Sequence, residues 1–181
     1  IDSDGDMDVV SAEYNDNTIA WYENNGSESF TAHTITTNAT NPRFVYAVDM
    51  DGDGNMDVLS ASTSDNKIAW YENTTAAPGT PTFTAATIST GMDGARSVFA
   101  IDLDSDGDMD ALSASENDRK IMWYDNNGSQ SFTVRTINTA AIGPSSVYAV
   151  DVDNDGDIDV LSSSVDDKII WYENGANQDW P

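Results

Sequence analysis

The feature that most constrains the fold of this chain is an internal repeat. The motif Trp-Tyr-acid-Asn occurs four times, and its tryptophans are spaced by 49, 53 and 48 residues. A cluster of aspartates recurs with the same rhythm, because its closing aspartates are spaced by 49, 53 and 49 residues. The repeated positions are Trp21, Trp70, Trp123 and Trp171 for the first motif, and Asp8, Asp57, Asp110 and Asp159 for the second. Such a period is typical of proteins in which one supersecondary unit is copied along the chain.

Each unit contains short runs of β-branched and aromatic residues, which we name strands A to D in chain order. Strand A precedes the aspartate cluster, strand B follows it, strand C carries the Trp-Tyr motif, and strand D follows a polar turn. The predicted ranges are 44–48, 97–101 and 146–150 for strand A; 9–12, 58–61, 111–114 and 160–163 for strand B; 19–23, 68–72, 121–125 and 169–173 for strand C; and 30–35, 83–88 and 132–137 for strand D. The sequence therefore predicts an all-β chain of four-stranded antiparallel meanders.

Four-stranded meanders at a fixed period predict a β-propeller, in which each sheet is one blade packed between two neighbours. The predicted blades are 1–40 with strands B to D, 41–93 and 94–142 with all four strands, and 143–181 with strands A to C. Because the end blades each lack a strand, we expect this chain to be part of a longer propeller. Trp70 and Tyr71 point to opposite faces of strand C, so we expect each to pack toward a different neighbouring blade rather than to form a sugar-stacking platform. Trp180 lies outside the repeat.

The charge of the chain excludes several classes of partner. Thirty-two Asp and Glu stand against seven Lys and Arg, which gives a formal net charge of −25. Nucleic acids and anionic membrane surfaces need Lys and Arg to replace their counterions, so we expect neither as a partner. No apolar run approaches the roughly eighteen residues of a membrane-spanning helix, so we expect no membrane insertion. Eighteen of the thirty-two acids lie in the four aspartate clusters, and this crowding requires a counter-charge.

The clusters have the chemistry of a calcium loop. Counted from the first aspartate, carboxylates stand at positions one, three, five and nine, and glycine stands at position six, as in residues 49–57. This spacing makes an oxygen cage on a tight turn, which suits Ca²⁺ better than the smaller Mg²⁺. Zinc and copper prefer His or Cys, and the chain has only His33 and no cysteine. An EF-hand is excluded because position twelve is Ser rather than Glu and because strands flank the loop.

The predicted metal ligands fall in four loops, the first of which begins at its third position. We expect position seven to offer its backbone carbonyl, and the apolar residue at position eight to point into the blade. We expect about four Ca²⁺ ions in a structural role, bound more weakly in the first loop. The position-eight residues are Met7, Met56, Met109 and Ile158. The candidate ligands are Asp2, Asp4, Asp6, Asp8, Asp49, Asp51, Asp53, Asn55, Asp57, Asp102, Asp104, Asp106, Asp108, Asp110, Asp151, Asp153, Asp155, Asp157 and Asp159.

The pattern Asp-x-Asp-x-Asp-Gly-x-x-Asp between two strands, repeated in blades, resembles the FG-GAP/VCBS class of calcium-binding propeller repeats. The resemblance covers essentially the whole chain, and the metal loop is its specific part. It implies a seven-bladed propeller, calcium ligands at Asp49, Asp51, Asp53 and Asp57 and at their counterparts, and an extracellular role in adhesion or recognition. The chain lacks the Phe-Gly and Gly-Ala-Pro signatures of the integrin α-subunit head. It is more similar to bacterial VCBS-type repeats, so integrin-type ligand recognition is not expected.

For function, the residues favour binding over catalysis. The counterparts of His33 are Ala86 and Arg135, so the repeat does not need a histidine, and no nucleophile or phosphate-binding motif is present. We expect a secreted or cell-surface module that binds an extracellular protein or glycan and packs against the rest of its propeller. The alternatives are a propeller domain of a secreted polysaccharide-active enzyme and a structural spacer. Ligand contacts are expected in the least repetitive segments, 36–43 and 74–82.

Overall fold

The computed structural model describes residues 1–75 and 79–175, which form fourteen strands and no helix. Trp180 and residues 76–78 of the predicted ligand segment 74–82 lie outside the described residues. Within the described ranges there is no helix long and apolar enough to cross a membrane. The strands are β1 (Val9–Glu13), β2 (Thr18–Asn24), β3 (Phe30–Thr36), β4 (Pro42–Val48), β5 (Asp57–Ser62), β6 (Lys67–Asn73), β7 (Phe83–Ser89), β8 (Ala95–Ile101), β9 (Asp110–Ser115), β10 (Lys120–Asn126), β11 (Phe132–Asn138), β12 (Pro144–Val150), β13 (Asp159–Ser164) and β14 (Ile169–Tyr172).

The strands pair into four antiparallel sheets in which chain neighbours are also sheet neighbours. Sheet 1 is β1-β2-β3, sheet 2 is β4-β5-β6-β7, sheet 3 is β8-β9-β10-β11 and sheet 4 is β12-β13-β14. The predicted fold class, all-β with four-stranded antiparallel sheets of the propeller-blade type, is therefore confirmed. Closure of a ring and the number of blades in it stay predictions.

The first strand of sheets 2, 3 and 4 begins two residues earlier than predicted, because it contains an irregularity that the hydrophobic pattern does not reveal. In β4 the pairing with β5 shifts between Pro42 and Phe44, which leaves Arg43 as an extra residue. β8 has the same shift around Arg96, and β12 has it around Ser145. An extra residue of this kind redirects its side chain. The last strand is shorter than predicted, because β14 ends at Tyr172, one residue before the predicted end of strand C.

Sheets pack face to face through the Trp-Tyr motif. Trp70 of sheet 2 lies in one buried cluster with Val98 and Tyr124 of sheet 3. Tyr71, the next residue along β6, lies in a different cluster with Ile19 of sheet 1. Side chains of successive residues leave opposite faces of a strand, so a single dipeptide contributes to two interfaces. The prediction that the tryptophan and the tyrosine pack toward different neighbours is confirmed.

The last sheet shows what this packing contributes. Trp171 is 43% exposed, whereas its equivalents Trp70 and Trp123 are 3% and 1% exposed. Ile169, on the same face, is 80% exposed, whereas Ile121 is fully buried. Within the described part of the chain no sheet covers this face of sheet 4. The burial of the motif therefore comes from the neighbouring sheet and not from the sheet that carries it.

The motif tyrosines are also anchored within their own sheets. The hydroxyl of Tyr124 lies 3.1 Å from Ser113 Oγ, and Tyr172 lies 3.1 Å from Ser162 Oγ in the same way. Each serine belongs to the neighbouring strand of the same sheet. Burial raises the pKa of Tyr124 to about 12, and the bond to Ser113 offsets only part of that effect. The phenol therefore stays protonated in the folded chain after the unfolded chain has begun to ionise.

This difference predicts alkaline sensitivity. The pKa of Tyr124 is higher in the folded state than its ordinary value of 10.0. The protonated phenol therefore contributes its full stabilisation of the fold below pH 10, and this stabilisation is lost as the pH rises toward 12. The free energy of unfolding should fall by up to about 1.4 kcal/mol per pH unit from this residue alone. Denaturant titrations at pH 8 to 11 should show a shallower decline for Tyr124→Phe than for the wild type. Equal slopes would contradict the assignment.

Candidate metal centre

The two ends of the sheets differ in charge. The A–B loops and the C–D turns lie at one end, which we call the metal-loop end. The D–A loops and the B–C turns lie at the other, where Thr63 N donates to Asn41 O. Eighteen aspartates belong to the A–B loops, and six of the seven cationic side chains belong to the opposite end. Those six are Arg43, Lys67, Arg96, Arg119, Lys120 and Lys168.

The structure brings predicted ligands together in the second, third and fourth loops. In each loop three carboxylates offer oxygen atoms that lie within 4.8 Å of one another. The groups are Asp49, Asp51 and Asp53; Asp102, Asp104 and Asp110; and Asp151, Asp153 and Asp159. The predicted ligands Asp57, Asp106 and Asp155 belong to the same loops but not to these groups. Among the described residues, the first-loop aspartates Asp2, Asp4, Asp6 and Asp8 form no such group.

The carboxylate at position one organises the turn. Asp49 accepts hydrogen bonds from Gly52 N at 2.9 Å, Asp53 N at 3.1 Å and Gly54 N at 2.9 Å. Asp102 and Asp151 accept equivalent bonds in the third and fourth loops. Gly54, at position six, has φ +91°, a left-handed conformation that glycine adopts without steric cost. The predicted need for glycine at position six is thereby explained.

The carboxylate at position nine is buried between two backbone donors. Asp110 Oδ2 accepts from Leu103 N at 3.1 Å, and Asp110 Oδ1 accepts from Asn126 N at 2.7 Å. The other loops repeat this arrangement, with Asp57, Asp159 and Asp8 in the same role. In the first loop the partner of Asp8 Oδ2 is the Ile1 nitrogen, at 2.7 Å. The position-nine aspartate therefore connects the loop to the end of strand C in all four sheets.

The asparagine that ends the Trp-Tyr-acid-Asn motif is a functional residue that sequence reasoning missed. Besides its backbone bond to the position-nine aspartate, its side chain reaches the loop. Asn126 Nδ2 donates to Met109 O at 3.0 Å, and Asn174 Nδ2 donates to Ile158 O at 3.0 Å. No contact between this asparagine and the loop was predicted from the sequence. Its constant position relative to the closing aspartate was the signal that could have revealed the contact.

Crowding of the carboxylates shifts their protonation. Burial raises the pKa of Asp57 to about 6 and that of Asp110 to about 7, although backbone N–H donors oppose the shift. Burial also raises the pKa of Asp51 and Asp104, and neighbouring aspartates add to the effect. Among the described residues, no Lys or Arg side chain forms an ion pair with the loop carboxylates. An all-oxygen, negatively charged donor set of this kind fits a hard divalent cation.

The prediction for position eight is wrong in the first two loops. Met7 is 84% exposed and Met56 is 38% exposed, so neither points into its sheet. Met109 and Ile158 pack only at the edge of the core. Position two takes the buried place instead, since Met50 and Leu103 are each 1% exposed. The reason is cover from the next sheet, because Met50 and Leu103 lie in clusters with residues of the sheet that follows. Val152 of sheet 4 makes the same backbone bond to Asp159 but is 39% exposed.

The position-seven side chain packs against the C–D turn. Asp108 lies over Gly128, which has φ +71°, and a methyl group added at Gly128 would lie 2.5 Å from Asp108 Oδ2. Asp6 and Gly26 repeat this contact in sheet 1. The Asp108 carboxylate therefore lies outside the group of three carboxylates in its own loop, which consists of Asp102, Asp104 and Asp110. The predicted backbone-carbonyl role of position seven stays a prediction.

The remaining candidates have ordinary structural partners. His33 stacks on Trp21 with ring centroids 4.5 Å apart, and its Nε2 lies 2.7 Å from Glu23. Arg96 forms an ion pair with Glu116. Arg43 differs, because its guanidinium lies 4.3 Å from the ring centre of Tyr14 and forms no ion pair with a described carboxylate.

Two glycine substitutions test the geometry of the metal-loop end. Gly128→Ala and Gly107→Ala each force alanine into a left-handed conformation, which should cost about 1–2 kcal/mol of unfolding free energy. Only the methyl group at residue 128 also meets a carboxylate, because a methyl group at Gly107 would have no neighbour within 4 Å. Denaturant unfolding should therefore show a larger loss for Gly128→Ala than for Gly107→Ala. Equal losses would show that Asp108 does not pack on the turn.

Comparison with known proteins gives one family. The model of the FG-GAP-like repeat matches residues 1–60, 49–113 and 102–162, so that three successive matches together cover most of the chain. Each match includes at least one complete aspartate loop and the strands that flank it. No curated protein matches the chain.

Proposed function

The chain belongs to the FG-GAP-like repeat family, and on that basis we propose that it is a calcium-stabilised recognition module that works outside the cell. The observation that carries the proposal is the recurrence of three carboxylates within 4.8 Å of one another in three successive loops. One such loop would be an ordinary acidic turn. Three in register with the repeat require a cation that each unit uses in the same way.

The proposed role of calcium is structural. Each loop joins strand A to strand B of one sheet, so a bound ion would fix the turn between them. Four ions would add eight positive charges and change the formal net charge from −25 to −17. The buried Asp57 and Asp110 would then ionise next to a cation rather than next to other carboxylates. A catalytic ion would be needed once and not in every unit.

The proposed location follows from the ion. Cytosolic calcium is too dilute to fill sites of the ~0.1–1 mM class that extracellular modules use. FG-GAP-like repeats are typical of extracellular proteins, which supports the same conclusion. We therefore place the module on the cell surface or in the secreted fraction, where it would serve recognition or adhesion.

We propose binding rather than catalysis because the repeated residues already have structural partners. The motif tryptophans and tyrosines pack between sheets, the aspartates form the loops, and His33 is engaged by Trp21 and Glu23. Catalysis needs a constellation of unlike reactive groups in one cleft. What varies between units is the loops, and loops on a rigid scaffold carry binding sites.

The two predicted ligand segments differ in position, so far as they are described. Residues 36–43 form a D–A loop, whereas residues 74–75 and 79–82 lie at the metal-loop end. One small ligand does not contact both sets of described residues. We propose the D–A end as the recognition surface, because it carries Arg43 stacked on the exposed ring of Tyr14. A guanidinium with no carboxylate partner among the described residues suits an extracellular protein or glycan that presents carboxylate or sulfate groups.

Calcium should stabilise the fold. At 10 mM Ca²⁺, each site of the ~0.1–1 mM class should add about 1–3 kcal/mol to the free energy of unfolding, and chelation should remove it. Asp53→Ala and Asp151→Ala should each lose the stabilisation that calcium gives at one site. The measurement is the difference in melting temperature with and without calcium. Asp16→Ala, an exposed acid outside the loops, is the control and should keep the full shift. A chelator without effect on the melting temperature would refute the structural role.

Ligand recognition should depend on the D–A end. A glycan array and a pull-down from matrix extract, both with calcium present, should yield ligands whose binding falls at least tenfold in Arg43→Ala. Arg96→Ala is the matched control, because Arg96 occupies the same irregular strand position but is paired with Glu116. Both variants should melt within a few degrees of the wild type. Equal binding by Arg43→Ala and the wild type would contradict a recognition surface at the D–A end. Turnover of a glycan by the chain would contradict the non-catalytic role.

A further inference from the structure

A small cleft separates the metal loop of sheet 2 from the metal loop and C–D turn of sheet 3. Its volume is about 70 Å³, which is room for a cation and coordinating water. The polar side chains that line it are those of Asp51, Asp108, Asn126 and Gln130.

The cleft contains carboxylate oxygens from two neighbouring loops. Asp108 does not belong to the carboxylate group of its own loop, which consists of other aspartates. Asp51 uses Oδ1 to accept from Asp53 N at 3.2 Å, and its Oδ2 has only the amide of Gln130 at 3.5 Å. In the described part of the chain neither carboxylate forms an ion pair with a Lys or Arg.

A buried amide oxygen provides an independent indication of a ligand. Asn126 is 2% exposed, and its Oδ1 has no hydrogen-bond partner among the described residues, although its Nδ2 donates to Met109 O. The turn Asn-Asn-Gly-Ser has the same sequence in sheet 1, where Asn24 Oδ1 accepts from Gly26 N at 3.2 Å. A buried acceptor without a partner loses its hydration and gains no hydrogen bond in return, which destabilises the fold. A cation in the cleft would remove this cost, because an amide oxygen is a suitable ligand for it.

We propose that the cleft between the second and third metal loops is a further Ca²⁺ site, distinct from the loop sites and held by Asp51, Asp108 and Asn126. The donors are two carboxylates and one amide oxygen, with no nitrogen or sulfur ligand, and such a set selects a hard cation. The volume leaves space for the ion and a water. Asp51 would serve both the loop ion and the cleft ion, with one carboxylate oxygen for each. The inference rests on the proposed calcium binding of the loops.

This site would differ from the loop sites in what it connects. A loop ion joins two strands of one sheet, whereas the cleft ion joins Asp51 of sheet 2 to Asp108 and Asn126 of sheet 3. Its removal should therefore weaken the contact between sheets and leave each loop intact.

Crystals of the full chain grown with Ca²⁺ and soaked with Tb³⁺ would locate the ions by anomalous scattering. We expect peaks in the loops and one further peak between Asp51 and Asp108. Loop peaks without a cleft peak would overturn this inference and leave the loop proposal standing. The absence of all peaks would overturn both.

Matched variants test the site in solution. Asp108→Asn and Gln130→Lys should each reduce the number of Ca²⁺ ions bound per chain by one, measured by equilibrium dialysis and metal analysis. Asparagine already occupies position seven in the second loop, as Asn55, so Asp108→Asn keeps a residue that the loop accepts. The control is Glu28→Lys, at the position of Gln130 in sheet 1, where no preceding loop is present in the described residues. This control should bind as many ions as the wild type, and an equal loss in Gln130→Lys and Glu28→Lys would overturn the proposal.

Discussion

The rest of the structure depends on one interaction, the burial of the aspartate at position nine between two backbone N–H donors. In Asp110 these donors come from the start of the metal loop and from the end of strand C. A single carboxylate thereby joins its own loop to the end of strand C, sixteen residues further along the chain. Burial penalises the charge of this carboxylate, and a cation held by the aspartates before it in the loop would offset that penalty.

The same strand ends carry the packing between sheets. Asn126 contacts the loop, and Trp123 and Tyr124 just before it pack on opposite neighbours. A shift of strand C by one residue would exchange the two aromatic faces and would also break the bonds to the aspartate. Hydrogen bonding at the metal-loop end therefore fixes the register that the aromatic packing needs.

Much of the fold could be predicted because the repeat shows each signal several times. Strands, sheet order and the roles of Trp70 and Tyr71 follow from alternation that recurs in every unit. Features set by tertiary hydrogen bonds could not be predicted in this way. Three examples are the burial of Met50, the exposure of Met56 and the extra residue at Arg43. Each depends on which groups meet in space, and the hydrophobic pattern of the sequence does not contain that information.

The segregation of charge bears on the proposal that one scaffold serves both stability and recognition. The aspartates proposed to bind cations lie at the metal-loop end, and all the Lys and Arg side chains except Arg135 lie at the other. Screening by salt weakens interactions between exposed charges that are more than about 10 Å apart. Under the proposed function, changes in the D–A and B–C segments would therefore alter a partner without disturbing the carboxylate loops. In a repeat protein this separation would let each unit keep the same metal chemistry while its opposite end diverges.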